Sequence, residues 1–138
     1  MQAQKALFVS FEGIDGAGKS THINSLKNAF EAPITGNNLR ELVVNTAKNH
    51  AKYNPFELII RNQSNSGPWV RAYMDGNEGT YWYWCMGFAQ TIIDQAASIV
   101  GKNFKTLMPL SYSCDTIGTT GLQKKILTRY QTARTNPS

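Results

Sequence analysis

The sequence predicts a mostly α-helical chain with one strand. A strand–loop–helix unit comes first and a small helical cluster follows. Three observations carry this. Leu7 to Phe11 lies in an apolar, aromatic run that enters a glycine-rich turn. Apolar residues recur at helical spacing in several later segments, most clearly from Cys85 to Val100. No later run reads as a parallel partner for the first strand.

Taken in order, Ala6-Leu7-Phe8-Val9-Ser10-Phe11 reads as the strand, and Thr21 onward as a helix with Ile23, Leu26 and Phe30 on one face. Glu31 to Asn38 contains Pro33 and Gly36 and breaks that helix. Asn38 with Glu41 matches a capping box, and Leu39, Leu42, Val43 and Ala47 follow at helical spacing to Ala51. Phe56 to Ile60 is a short apolar piece. Pro68 to Met74 is a helix with proline in its first turn, stopped by Asp75-Gly76-Asn77. Thr80 to Trp84 is an aromatic loop. Cys85 opens the clearest helix, with Phe88, Ala89, Ile92, Ile93, Ala96, Ile99 and Val100 in its stripe and Gly101 as its stop. Asp115 to Leu127 is a weaker helix interrupted by Gly118 and Gly121. These segments divide the chain into a strand–loop–helix unit (1–36), a helical region (37–127) and a loose basic tail (128–138).

A chain of 138 residues supports one domain. The formal charge of +5 gathers late, because Lys124, Lys125, Arg129 and Arg134 follow the last acid, Asp115. With only Tyr130 as an aromatic companion, this reads as a solvated tail rather than a nucleic-acid surface. No apolar run is long enough for a membrane span, and Ser10 and Glu12 interrupt what would be a signal-peptide core. Cys85 and Cys114 make neither a disulfide framework nor a zinc motif. A cytoplasmic setting is the default expectation.

The chemistry begins at Gly13-Ile14-Asp15-Gly16-Ala17-Gly18-Lys19-Ser20, which fits the phosphate-binding P-loop pattern G-x-x-x-x-G-K-[ST]. Glycines let backbone N–H groups turn inward around phosphate oxygens, and the helix N-terminus adds positive potential. Lys19 would reach the β/γ-phosphates of ATP, and the Ser20 hydroxyl would bind Mg²⁺. Phe11 to Thr21 closely resembles the N-terminus of thymidylate kinase, and the resemblance covers about residues 5–31. It implies ATP and Mg²⁺ as cofactors, a nucleotide or phosphate as partner, and phosphoryl transfer to a nucleoside monophosphate. It further implies that Gly13, Asp15, Gly16, Ala17, Gly18, Lys19, Ser20 and Thr21 form the binding loop. Asp15 would touch the acceptor's sugar hydroxyl and Lys19 would serve the transfer. His22 departs from that family's usual Gln.

The remainder does not read as a kinase. Phosphoryl transfer needs further strands, a second metal-orienting acid and a cationic lid. Thr91-Ile92-Ile93-Asp94 sits in a helical stretch and is no Walker B strand. Arg40, Arg61, Arg71, Arg129 and Arg134 are scattered.

Asn65-Ser66-Gly67-Pro68, Trp84-Cys85-Met86-Gly87-Phe88 and Ser113-Cys114-Asp115 resemble, in that order, the N-terminal half of CHAP-type cysteine peptidases and amidases. This second resemblance covers about residues 38–138. It implies Cys85 as nucleophile at a helix start and peptidoglycan as the alternative substrate class. A helix N-terminus favours a thiolate. Cys85 equally reads as a small buried hydrophobe on the stripe of its helix, and Cys114 with Asp115 as a helix cap and packing. The histidine that family uses as base comes after the cysteine, on an antiparallel sheet. Here His22 and His50 both precede Cys85 and read as helix-surface residues, and nothing after Ser113 reads as that sheet. The expectation is a composite of an incomplete α/β part and an incomplete α+β part. It is weakly active or inactive alone, or a non-catalytic fusion or remnant.

Overall fold

The computed structural model describes residues 19–129 and 134–135, with side chains from Ile23 onward. The expected strand Leu7 to Phe11 lies outside the described residues. Six helices and one hairpin follow in order within them. These are α1 (Lys19–Glu31), α2 (Leu39–Ala51), β1 (Leu58–Ile60), β2 (Gln63–Ser66), α3 (Pro68–Tyr73), α4 (Cys85–Ile99), α5 (Phe104–Leu107) and α6 (Cys114–Gln123). The mostly helical expectation holds. The hairpin and α5 were not anticipated, and the last helix is shorter than Asp115 to Leu127.

Local chemistry explains most boundaries. Asn38 caps α2 by accepting from the Glu41 N–H at 3.0 Å. Glu41 reaches back one residue further than a capping box requires, to the Asn37 N–H at 2.8 Å. Pro68 starts α3, where a missing N–H costs nothing. Asp75 and Gly76 end that helix with positive φ, as Gly101 does after α4. The hairpin turns on Arg61 and Asn62, both left-handed (φ 51° and 62°), which is the type I′ geometry of a two-residue connection. Leu58 pairs with Ser66 and Ile60 with Gln63, so β2 carries one residue more than β1. Asn65, at φ 49°, lies in that irregular stretch.

The core gathers Leu26 and Ala29 of α1 with Trp69, Val70, Ala72 and Tyr73 of α3 and the adjoining Met74. Tyr73 is its hub. Trp84 stacks on its ring (5.8 Å, 3°) and Phe88 meets it edge-on (5.1 Å, 89°). Polar side chains dock α1. Asn49 of α2 donates to the Asn28 and Ala29 carbonyls at 3.3 Å each, and Gln95 of α4 donates to those of Ala29 and Phe30 at 3.2 Å. Carbonyls at a helix C-terminus lack intrahelical partners, and the two amides supply donors to those of Ala29 and Phe30, while the Asn28 carbonyl also accepts from the Ala32 N–H at 3.1 Å.

Candidate functional site: two thiols in an aromatic groove

The first residues of α4 and α6 are both cysteines, and both are exposed. Their sulfurs lie 3.4 Å apart, and both residues line a groove of ≈ 540 Å³. Tyr81, Trp82, Tyr83 and Tyr112 line it with them.

Each cysteine is held by its neighbour in sequence. Trp84 is stacked on Tyr73 and donates from Nε1 to Glu57 Oε2 at 2.9 Å, which fixes the start of α4. Ser113 caps α6 by accepting from the Thr116 N–H at 3.2 Å. Cys114 is therefore the first helical residue and not the cap. Buried Gln90 of α4 clamps the approach to α6. Its Oε1 accepts from the Ser111 N–H at 2.9 Å, and its Nε2 donates to the Ser111 carbonyl. Tyr112 donates to Asp75 and meets Trp82 edge-on at 6.2 Å. Opposite, Glu78 accepts from the Gly67 N–H at 2.7 Å and from Arg71 Nη1 at 2.8 Å, tying the loop after α3 to that helix's start.

The Cys85 sulfur beside Cys114 pushes the Cys114 thiol up, with smaller contributions from desolvation and from Asp115. A second sulfur stabilises the proton on Cys114 by hydrogen bonding and disfavours a second thiolate beside the first.

His50 is not a surface residue, as the sequence suggested. It is fully buried, and both ring nitrogens are engaged. Gln95 spends its NH₂ on the α1 carbonyls, so its Oε1 faces His50 Nε2 at 2.8 Å and accepts a hydrogen bond from it. His50 Nδ1 is then the acceptor for the Tyr73 hydroxyl, also at 2.8 Å. Burial holds the His50 imidazole below its ordinary value of 6.5, against the opposing effect of its hydrogen bond to Gln95. Burial likewise raises the Tyr73 phenol. This neutral chain belongs to the core and has no nitrogen left to serve Cys85.

Of the residues expected to bind phosphate, Gly13, Asp15, Gly16, Ala17 and Gly18 lie outside the described residues. Lys19, Ser20 and Thr21 form the first turn of α1. Among the described residues, no three His, Cys, Asp or Glu side chains gather as a metal site. No described helix is long and apolar enough to cross a membrane. Cys85 is exposed, so its reading as a buried hydrophobe is corrected. The pairing of Cys85 with Cys114 and the Gln90 clamp were missed. The one available signal was that each cysteine begins a helix.

A short segment of the chain is similar to thymidylate kinases. The identity is 68% over 28 residues to the enzyme of Albidiferax ferrireducens, 77% over 26 residues to that of a Polaromonas species, and 60% over 30 residues to that of Verminephrobacter eiseniae. These segments make up 20%, 19% and 22% of this chain and 13%, 12% and 13% of the relatives. The chain thus spans about an eighth of the length of the curated relatives it matches. No family model matches, and no solved structure does.

Proposed function

We propose that the segment Gly13 to Thr21 binds the phosphates of a nucleotide, with ATP and Mg²⁺ as the ligand pair. The observation that carries this is the 68% identity over 28 residues to a thymidylate kinase, together with the P-loop pattern within this chain. Helix α1 is described from Lys19 onward, and its positive end would lie toward the loop. Backbone amides of Gly16, Ala17 and Gly18 would face the phosphates, Lys19 would neutralise them, and Ser20 would ligate Mg²⁺. Asp15 would contact an acceptor nucleotide. Phosphoryl transfer itself is weak or absent in this chain alone, because no cationic lid or second acidic site is legible in it. Equilibrium binding of ATP to the full chain, with and without Mg²⁺, tests the reading. Lys19→Ala is expected to abolish binding, and unchanged affinity in that variant would overturn it.

A second reading rests on the exposed Cys85 at the start of α4, in an aromatic groove. It makes the later region half of a CHAP-type cysteine peptidase or amidase, with Cys85 as nucleophile and peptidoglycan as substrate class. Hydrolysis that disappears in Cys85→Ser would support this. Intact hydrolysis in that variant would exclude it.

A further inference from the structure

We infer that Cys85 and Cys114 form a reversible dithiol–disulfide site that reacts with low-molecular-weight disulfides. The inference stands on the described thiol groove and is independent of both functional readings above.

The geometry is prepared for closure. The two sulfurs are 3.4 Å apart and a disulfide needs about 2.05 Å, so the exposed pair closes with an approach of little more than ~1 Å between the sulfurs. Neither helix start can drift away. Trp84, the residue before Cys85, is stacked on Tyr73, and the segment before Cys114 is clamped by Gln90 and capped by Ser113. The pair also lies open to solvent, where a small disulfide can enter and a thiol reductant can leave. An accessible disulfide of this kind belongs to the labile class rather than the structural one.

The exchange balances without another reactant. The Cys85 thiolate attacks one sulfur of the incoming disulfide. That S–S bond breaks, a protein mixed disulfide forms, and the first thiol departs with the proton Cys85 gave up. Cys114 then releases its proton and attacks the Cys85 sulfur. The second small thiol leaves, and the Cys85–Cys114 bond forms. Two protein thiols are oxidised and one small disulfide is reduced to two thiols. The Cys85 sulfur beside it pushes the Cys114 thiol up, which favours Cys85 as the first to attack. Closure removes Cys85 as a nucleophile and ties α4 to α6 across the groove.

The test uses the full chain in buffers of graded oxidised-to-reduced glutathione ratio, quenched with an alkylating agent and read by intact mass. The expected result is a single reversible transition of the monomer, from two alkylated thiols to none, with no glutathione retained. Cys114→Ser should stop at one glutathione on Cys85. Three outcomes would overturn the inference: two alkylatable thiols at the most oxidising ratio, disulfide-linked dimers as the main product, or a wild-type chain that stops at the mixed disulfide.

Discussion

Gly87 of α4 lies against the backbone of Tyr73 so closely that a β-carbon on it would sit 2.7 Å from the Tyr73 carbonyl oxygen and 2.2 Å from Met74 Sδ. The thioether can swing aside, but the carbonyl belongs to the end of α3 and cannot. Gly87 therefore sets the approach of α4 to the Tyr73 hub, and with it the position of Cys85 two residues earlier.

Gly87→Ala is expected to destabilise the chain. The alanine gains roughly 1 kcal/mol of helix propensity. Overpacking against a fixed carbonyl costs about 1–3 kcal/mol. Overpacking wins, and the unfolding free energy should fall by about 1 kcal/mol, read as a lower urea midpoint. A variant at least as stable as the parent would show that α3 and α4 do not pack this closely.

The Gln90 clamp on Ser111 predicts a coupled loss. Gln90→Ala removes the partner of both the Ser111 N–H and its carbonyl in a partly buried setting. Leaving such groups unpaired costs about 1–3 kcal/mol. The same change frees the segment leading to Cys114, so closure with Cys85 should weaken several-fold. Denaturant melts and the glutathione titration check the two effects separately. A variant that loses stability but closes as readily as the parent would show that Gln90 does not position Cys114.

The helices were legible because their signals are local. Asn38, Pro68, Gly76 and Gly101 mark ends that follow from capping and backbone preference alone. The hairpin was missed because Gln63 to Ser66 is polar throughout and pairs in only a short, irregular ladder. Arg61 in the left-handed turn position also hides the usual glycine signature. His50 was misread because a polar residue late in a helix looks solvated. Its partners are 23 and 45 residues away, and no spacing rule reaches them. The thiol pair failed for a similar reason: Cys85 and Cys114 are 29 residues apart, and a side chain on α4 brings them together.

His50 predicts acid sensitivity. Its folded-state value lies below the 6.5 of the exposed imidazole, because burial disfavours the charged form. At a pH below 6.5 the unfolded chain binds a proton that the folded chain refuses. Unfolding free energy then falls by up to ~1.4 kcal/mol per pH unit. The contribution is complete above 6.5 and is lost as the pH falls from there through the folded value. Urea midpoints between neutral and mildly acid pH should show this slope, and His50→Gln should flatten it. An unchanged slope in that variant would assign the sensitivity to other groups.

Cys85 should be reactive without turning over. With the chain fully reduced at neutral pH, Cys85 is expected to alkylate faster than Cys114, whose thiol is pushed up by the adjacent sulfur. Alkylation rate followed over pH by peptide mass distinguishes the two sites. Attack on an amide is a different matter. The leaving nitrogen must receive a proton, and a cysteine hydrolase gives it from an imidazole beside the thiol. In this chain the His50 imidazole is buried, with Nε2 donating to Gln95 and Nδ1 accepting from Tyr73. Releasing it for Cys85 would break both hydrogen bonds and open the aromatic core around Tyr73. The expected outcome on peptidoglycan is therefore alkylatable Cys85 and no measurable hydrolysis by this chain alone. Hydrolysis abolished by Cys85→Ser and preserved by His50→Gln would show that another group protonates the leaving nitrogen. Hydrolysis abolished by both, with the His50 variant still folded, would bring His50 into the reaction.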